Sequence, residues 1–232
     1  FKFIFLRQDP PFDMHYITST YLLDCLPVNT KVINNPSSVR NAAEKILPFK
    51  FKEFMPPTLI SQSVNEIKNF FKVHQDIITK PLYGNGGEGI HRSQDGLLDG
   101  IDIHDEYLQM PIMAQKYIPE ISQGDRRIIF FDGDYVGSVA RIPLEGSIKA
   151  NFHAGGSAKK TGLVFRDQQI IEALGKELKK MDLFFVGIDI IGNFLTEINV
   201  TSPTGIKQIN KLNNIKLEQV FWDKLEAKYK IV

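Results

Sequence analysis

The segment Gly187 to Val200, reading GIDIIGNFLTEINV, constrains the fold of this chain more than any other. Two β-rich runs flank Gly192-Asn193, so the segment reads as an antiparallel hairpin. Each run carries an oxygen-bearing side chain where a core strand would hold Val or Ile: Asp189 in the first, Glu197 and Asn199 in the second. Side chains alternate faces along a strand, so Glu197 and Asn199 share a face. Asp189 joins them only if paired residue numbers sum to an even value. A connection of three or five residues around Gly192 gives that register, whereas a two-residue Gly-Asn loop turns Asp189 away. Hard oxygen donors on adjacent strands are the set Mg²⁺ prefers, and unpaired acids among apolar neighbours are costly to bury. The segment therefore reads as a divalent-metal site; the alternative is an exposed hairpin with ordinary surface acids.

Composition narrows what such a metal would serve. At 232 residues and 43% hydrophobic, the chain is long enough to bury a substantial core. Its 28 basic and 27 acidic residues nearly cancel, which removes the electrostatic case for nucleic acid or an anionic membrane. The apolar runs are strand-sized, far short of the ~20 residues that span a bilayer. A single cysteine, Cys25, excludes an internal disulfide and suits a reducing, cytoplasmic setting. It lies in a helix-like run with Tyr21, Leu22 and Leu26 and reads as a small buried core residue. Phe1 to Leu6 reads as a strand with no earlier strand to pair with, so the chain is expected to be a fragment that lacks an upstream segment.

Periodicity predicts strands at 1–6, 31–34, 76–81 and 110–118, and a hairpin of 126–131 with 135–142 around Asp132-Gly133. Helices are expected over 15–26, over 39–47, after the capping box Ser63-Val64-Asn65-Glu66, from Asp167 as cap through Met181, and over 217–229. Residues 144–160 are Gly-rich and poorly periodic and read as a mobile loop. Helices mixed with antiparallel hairpins indicate an α+β class in several layers.

Other residues have the chemistry to work beside a metal. Lys80 adjoins the glycine-rich run Gly84 to Gly89, where backbone N–H groups could approach phosphate oxygens and lysine adds a cation. The spacing matches neither common phosphate-loop fingerprint, and a flexible surface loop is the alternative. Lys45 sits in an apolar stretch and reads either as a phosphate contact or as a solvated lysine. Arg127 and Arg141 offer planar forks for carboxylate or phosphate, while Arg126 reads as a surface charge. Met113 to Pro119 is either an adenine-lining edge or a plain core strand. The five histidines show no metal-ligand spacing; only His153, in the long loop, is a weak candidate.

These pieces occur in a particular order: Arg7-Gln8-Asp9-Pro10-Pro11-Phe12-Asp13, Lys45, Lys80-Pro81 with its glycine loop, Met113-Ala114-Gln115, Ala140-Arg141-Ile142-Pro143, the hairpin, and Thr201-Ser202-Pro203-Thr204-Gly205. That order closely resembles the prokaryotic-type glutathione synthetase family of ATP-grasp ligases, over nearly the whole chain from Arg7 onward. The resemblance implies an ATP-grasp fold, two α+β subdomains sandwiching ATP, with only the end of a Rossmann-like N-terminal domain. It divides the chain into 1–37 as that remnant, 38–118 as the first ATP-grasp subdomain, and 119–232 as the second, with a flexible loop at 142–158. It implies ligation of γ-glutamylcysteine to glycine with ATP and Mg²⁺ or Mn²⁺, through an acyl phosphate, by a cytoplasmic enzyme that is a homo-oligomer when full length.

The roles implied are specific. Asp189, Glu197 and Asn199 would hold metal. Lys45, Lys80, Gly86 and Gly87 would contact ATP phosphates. Gln115, Tyr117 and Ile118 would line adenine, with Asp125 at the ribose. Arg127 and Arg141 would be catalytic, and Arg7 and Ser202 would hold γ-glutamylcysteine. Against the family's pattern, the chain is expected to lack the upstream domain. It also carries Lys149-Ala150-Asn151 where many relatives carry Arg-Gly-Asn. Another ATP-grasp carboxylate–amine ligase, or a catalytically silent ATP-binding fragment, are the alternatives.

Overall fold

Short strands and amphipathic helices alternate along the chain, and each sheet draws its strands from one stretch of sequence. The computed structural model describes residues 2–84, 87–95, 98, 107–152 and 155–230. Strands β1 (Phe3–Phe5) and β2 (Lys31–Ile33) form a parallel pair joined through α1 (Met14–Asp24). Helix α2 (Pro36–Arg40) and a 3₁₀ segment (Leu47–Phe54) follow. Then come β3 (Thr58–Ser63), α3 (Val64–His74), β4 (Ile77–Pro81), β5 (His91–Ser93) and β6 (Tyr107–Lys116), an antiparallel sheet ordered β3-β6-β4-β5. The last stretch holds β7 (Asp125–Phe131), β8 (Asp134–Ile142), β9 (Ser157–Lys159), α4 (Phe165–Lys180), β10 (Phe185–Ile191), β11 (Phe194–Asn199), α5 (Ile206–Asn213) and α6 (Leu217–Tyr229). Its antiparallel sheet is ordered β11-β10-β7-β8-β9.

The five-stranded sheet is covered on one face and over part of the other, and its inner strand β10 is buried over all but its last residue. Ile128, Phe130, Val186, Ile188, Ile190, Leu195 and Ile198 face a core closed by Ile170, Leu174 and Leu178 of α4. The opposite face is split. Ile129, Phe131, Val139 and Phe185 pack against Ile209, Leu217 and Leu225 of α5 and α6. The remainder of that face is charged and opens toward the four-stranded sheet, whose own core is Ile67, Phe71, Ile77 and Ala114. The segment 38–56, expected with the four-stranded unit, places Val39, Leu47, Phe51 and Phe54 in the core beneath the five-stranded sheet.

Several local expectations are corrected. No helix spans 39–47: the Asn41 side chain donates to the Ser37 carbonyl at 3.0 Å and the helix ends at Arg40, leaving Lys45 in a turn. Asp167 is the third residue of α4, reaching back to accept from the Val164 N–H at 3.0 Å, instead of the cap itself. Arg126 is no free surface charge, because it forks onto buried Asp167 at 2.9 and 2.8 Å and donates to the Gly192 carbonyl at 2.6 Å. Cys25 is exposed, beyond the end of α1. The loop 144–160 contains β9, which pairs with β8.

The hairpin carries the most consequential correction. Its turn is the two-residue Gly192-Asn193, with Ile191 opposite Phe194. That connection was expected to turn Asp189 away. A β-bulge intervenes: Ile190 pairs with Leu195, but Asp189 pairs with Glu197, so Thr196 is an extra residue in β11. Downstream of the bulge the register is even, and Asp189, Glu197 and Asn199 share the charged face. Thr196 holds the bulge by donating its hydroxyl to the Asp189 carbonyl at 3.1 Å.

Candidate active site

Strand alternation assembles the charged face. Asp125 and Arg127 lie two apart on β7; Arg141 stands opposite Asp125, and Asp189 opposite Arg127. Arg127 grips Asp189 with both arms, Nε to Oδ1 at 2.5 Å and Nη2 to Oδ2 at 2.9 Å. Arg141 grips Asp125 through Nε at 2.7 Å and also reaches Asp189 Oδ2 at 2.9 Å. All four are buried, so this is a desolvated network in which each charge has a partner. Burial alone would push the Asp189 carboxyl up, but Arg127 and Arg141 hold it well below the usual carboxylate range. Burial pushes the Asp125 carboxyl up, only partly opposed by Arg141. Gly187 makes the arrangement possible, since a Cβ there would lie 2.8 Å from Pro203 and 3.2 Å from Arg127.

Two lysines meet this face. The backbone carbonyl of Glu44 accepts from Ile198 at 3.0 Å, docking the 44–46 turn on the edge of β11. Lys45 is thereby delivered beside the metal-type residues, its Nζ 2.9 Å from Glu44 Oε1, 2.9 Å from the Gly84 carbonyl and 3.8 Å from Glu197 Oε1. Burial is opposed by Glu197 and Glu44, and the Lys45 ammonium is held above its ordinary value. Lys80, on β4, also stands 3.8 Å from Glu197, and its burial lowers its pKa. The Glu44 carboxyl is pushed up to about 7, by burial first and Glu197 second.

These groups line one cavity of about 820 Å³ between the two sheets. Lys45, Lys80, Gly87, Gln115, Tyr117, Ile118, Asp125, Arg127, Arg141, Asp189, Glu197, Asn199 and Ser202 all border it. Gly86 and His153 lie outside the described residues. Arg7 does not border it: its guanidinium donates to the Pro203 carbonyl at 3.3 Å and lies over the Phe185 ring. Gln115 borders the cavity, but its amide accepts from Lys80 at 3.3 Å and donates to Thr58 at 2.9 Å. The Tyr117 N–H is taken by the Asp76 carbonyl at 3.0 Å. Lys149 and Asn151, from the β8–β9 loop, come within 3.0 and 3.4 Å of where a Cβ on Gly87 would sit, so the two loops meet over the cavity.

Sequence reasoning missed three cavity carboxylates, Asp9, Glu44 and Glu88. Asp9 was visible within the RQDPPFD run, and Glu44 as the acidic neighbour of Lys45.

Among the described residues, no three His, Cys, Asp or Glu side chains gather closely enough to hold an ion by themselves. Two carboxylates and an amide facing phosphate-type cations still suit Mg²⁺, which takes one or two carboxylates and completes its shell with water and substrate phosphates.

Two antiparallel sheets closing on a lysine- and arginine-lined cavity define an ATP-grasp ligase. The architecture aligns with a D-alanine–D-alanine ligase from Bacillus anthracis solved with ATP (TM-score 0.67, 14% identity, 99% of this chain and 81% of that one). It aligns similarly with a D-cycloserine synthetase (TM-score 0.66, 14% identity, 90% and 78%). The ATP-grasp domain model of prokaryotic glutathione synthetase matches residues 44–214, and its N-terminal domain model matches residues 1–40. Glutathione synthetase of Agrobacterium fabrum is 45% identical over 228 residues, 97% of this chain and 72% of that protein. The Prochlorococcus marinus glutathione synthetase is 39% identical over 229 residues, 97% and 75%. The chain belongs to the prokaryotic glutathione synthetase family. No helix among the described residues is long and apolar enough to cross a membrane.

Proposed function

We propose that this chain joins γ-glutamylcysteine to glycine at the expense of ATP, giving glutathione, ADP and phosphate. The observation that carries the reading is Glu197, flanked at 3.8 Å by both Lys45 and Lys80, in a cavity whose floor is the Arg127–Asp189–Arg141–Asp125 network. Lys45 and Lys80 would draw the β- and γ-phosphates of ATP between the sheets, with Gly87 above them. Ile118 and Tyr117 would border the adenine, and Gln115 would hold Lys80. Glu197 and Asn199, with Asp189 behind them, would hold Mg²⁺ or Mn²⁺, which neutralises phosphate charge and aligns the transfer.

The cysteine carboxylate of the dipeptide attacks the γ-phosphorus and ADP leaves, forming an acyl phosphate. The glycine amine then attacks the acyl carbon, and phosphate departs with one former carboxylate oxygen. Such transfer needs positioning and charge neutralisation more than covalent help. Arg127 and Arg141, each braced by a carboxylate, would stabilise the negative oxygens of both steps. The loop carrying Lys149 and Asn151 covers the cavity and would keep water from the acyl phosphate. The proposed division of labour is 1–37, 38–118 and 119–232, with 38–56 packed beneath the five-stranded sheet of the last, and a cytoplasmic homo-oligomer is part of the same proposal.

The test is ADP release with γ-glutamylcysteine and glycine each omitted in turn. Dependence on both substrates supports the reading; release that ignores both overturns it.

A further inference from the structure

We propose that Arg92, braced by Asp76, is a positioning residue for the nucleotide base: it pins the Tyr117 ring as a wall at the adenine end of the cavity. The inference rests on the ATP-binding part of the reading above. It starts from strand register. Residues directly opposite across antiparallel strands project to the same face of a sheet. Arg92 of β5 stands opposite Ile78 of β4, and Ile78 stands opposite Gln115 of β6. Ile78 and Gln115 both border the cavity, as does Ile90, two residues before Arg92. Arg92 therefore leaves β5, the end strand in the four-stranded order, on the cavity side.

Arg92 does not itself border the cavity. Its guanidinium lies over the Tyr117 ring, 3.6 Å from the centroid and well inside cation–π range. Asp76 fixes it there with a two-armed hold, accepting from Nε at 2.9 Å and from Nη2 at 2.7 Å. The backbone carbonyl of the same Asp76 accepts the Tyr117 N–H at 3.0 Å. One residue thus holds Tyr117 twice, by its main chain directly and by its ring through Arg92. Tyr117 and Ile118, just beyond the end of β6, both border the cavity.

The pair contributes little to folding. The Arg92 and Asp76 side chains are 32% and 34% exposed, and ion pairs that open to water add little stability. What the pair supplies is a ring held in one place, so less freedom is lost when a base settles against it. Lysine at position 92 would keep the charge. It lacks the planar group that forks onto a carboxylate while lying against a ring.

The experiment is a double-mutant cycle in the full chain, read by ADP release and thermal melts. Arg92→Leu should raise KM for ATP by about threefold to thirtyfold, the range of a partly desolvated cation–π contact. It should leave kcat and KM for γ-glutamylcysteine and glycine within about twofold, and Tm within about 4 °C. Arg92→Lys should recover only part of the loss. Tyr117→Leu should raise KM for ATP as well, and adding Arg92→Leu to it should change that value by no more than about twofold, because Arg92 acts through the ring. An unchanged KM for ATP in Arg92→Leu overturns the proposal. So do fully additive effects in the double variant, full recovery by Arg92→Lys, and a collapse of Tm that raises every KM together. ADP release that ignores both substrates in the unaltered protein would instead contradict the synthetase reading; the same cycle is then read from ATP affinity by calorimetry, with the same outcomes deciding it.

Discussion

Asp189 stands directly opposite Glu197 across the β10–β11 pair because Thr196 bulges out of the ladder and ties its hydroxyl to the Asp189 carbonyl at 3.1 Å. In a regular ladder behind the same two-residue turn, Glu197 would point into the apolar core beside Ile188. Thr196→Val removes the donor and keeps the shape. It should cost about 1 kcal/mol, lowering Tm by about 2–4 °C, and reduce kcat more than Thr196→Ser does. Thermal melts and steady-state rates check this, and equal behaviour of the Val and Ser variants would contradict it.

Arg141 serves two carboxylates at once, its planar fork gripping Asp125 while it also reaches Asp189. Arg141→Lys keeps the charge but leaves one buried carboxylate under-satisfied. Stability should fall by on the order of 2–3 kcal/mol, with a loss of kcat of at least a hundredfold. Denaturant midpoints and ADP release measure the two effects; a fully stable and active variant would show the fork to be dispensable.

Lys80 is positioned through Gln115, which is itself held by Thr58. Gln115→Leu should raise KM for ATP by about tenfold and leave KM for γ-glutamylcysteine within twofold. A rise confined to the dipeptide would refute this relay.

Glu44 gives the nucleotide-free protein a pH dependence of defined sign. Its carboxyl titrates near 7 in the folded chain against an ordinary 4.5, so the folded state holds the proton more tightly than the unfolded one. The stability this confers is complete below pH 4.5 and is lost as pH rises toward 7. Asp189, held low, stays ionised throughout and adds no slope there. Glu44→Gln should flatten the decline in Tm between pH 5 and 8 by about 2–4 °C. An unchanged pH profile would contradict the assignment.

Periodicity made much of this legible. Capping at Ser63, the Asp132-Gly133 hairpin and the apolar face of α4 all follow from local patterns, and local energies favour the same structures. Where tertiary contacts decide, the pattern was silent or misleading. Turn length alone argued against Asp189 joining Glu197, and the bulge that reverses that conclusion leaves no mark in side-chain alternation. Lys45 looked helical because its neighbours are apolar; its real position comes from Glu44 docking on the edge of β11, a contact more than 150 residues away in sequence. Arg7 has the chemistry expected of a substrate anchor, and its contacts with Phe185 and the Pro203 carbonyl, both remote in sequence, could not be read from local pattern.

The central claim is that the cysteine carboxylate is phosphorylated before glycine attacks. It is tested most directly by supplying γ-glutamylcysteine labelled with ¹⁸O in that carboxylate and analysing the released phosphate by mass spectrometry. One labelled oxygen should pass to phosphate for each glutathione formed. Unlabelled phosphate alongside glutathione formation would contradict the mechanism.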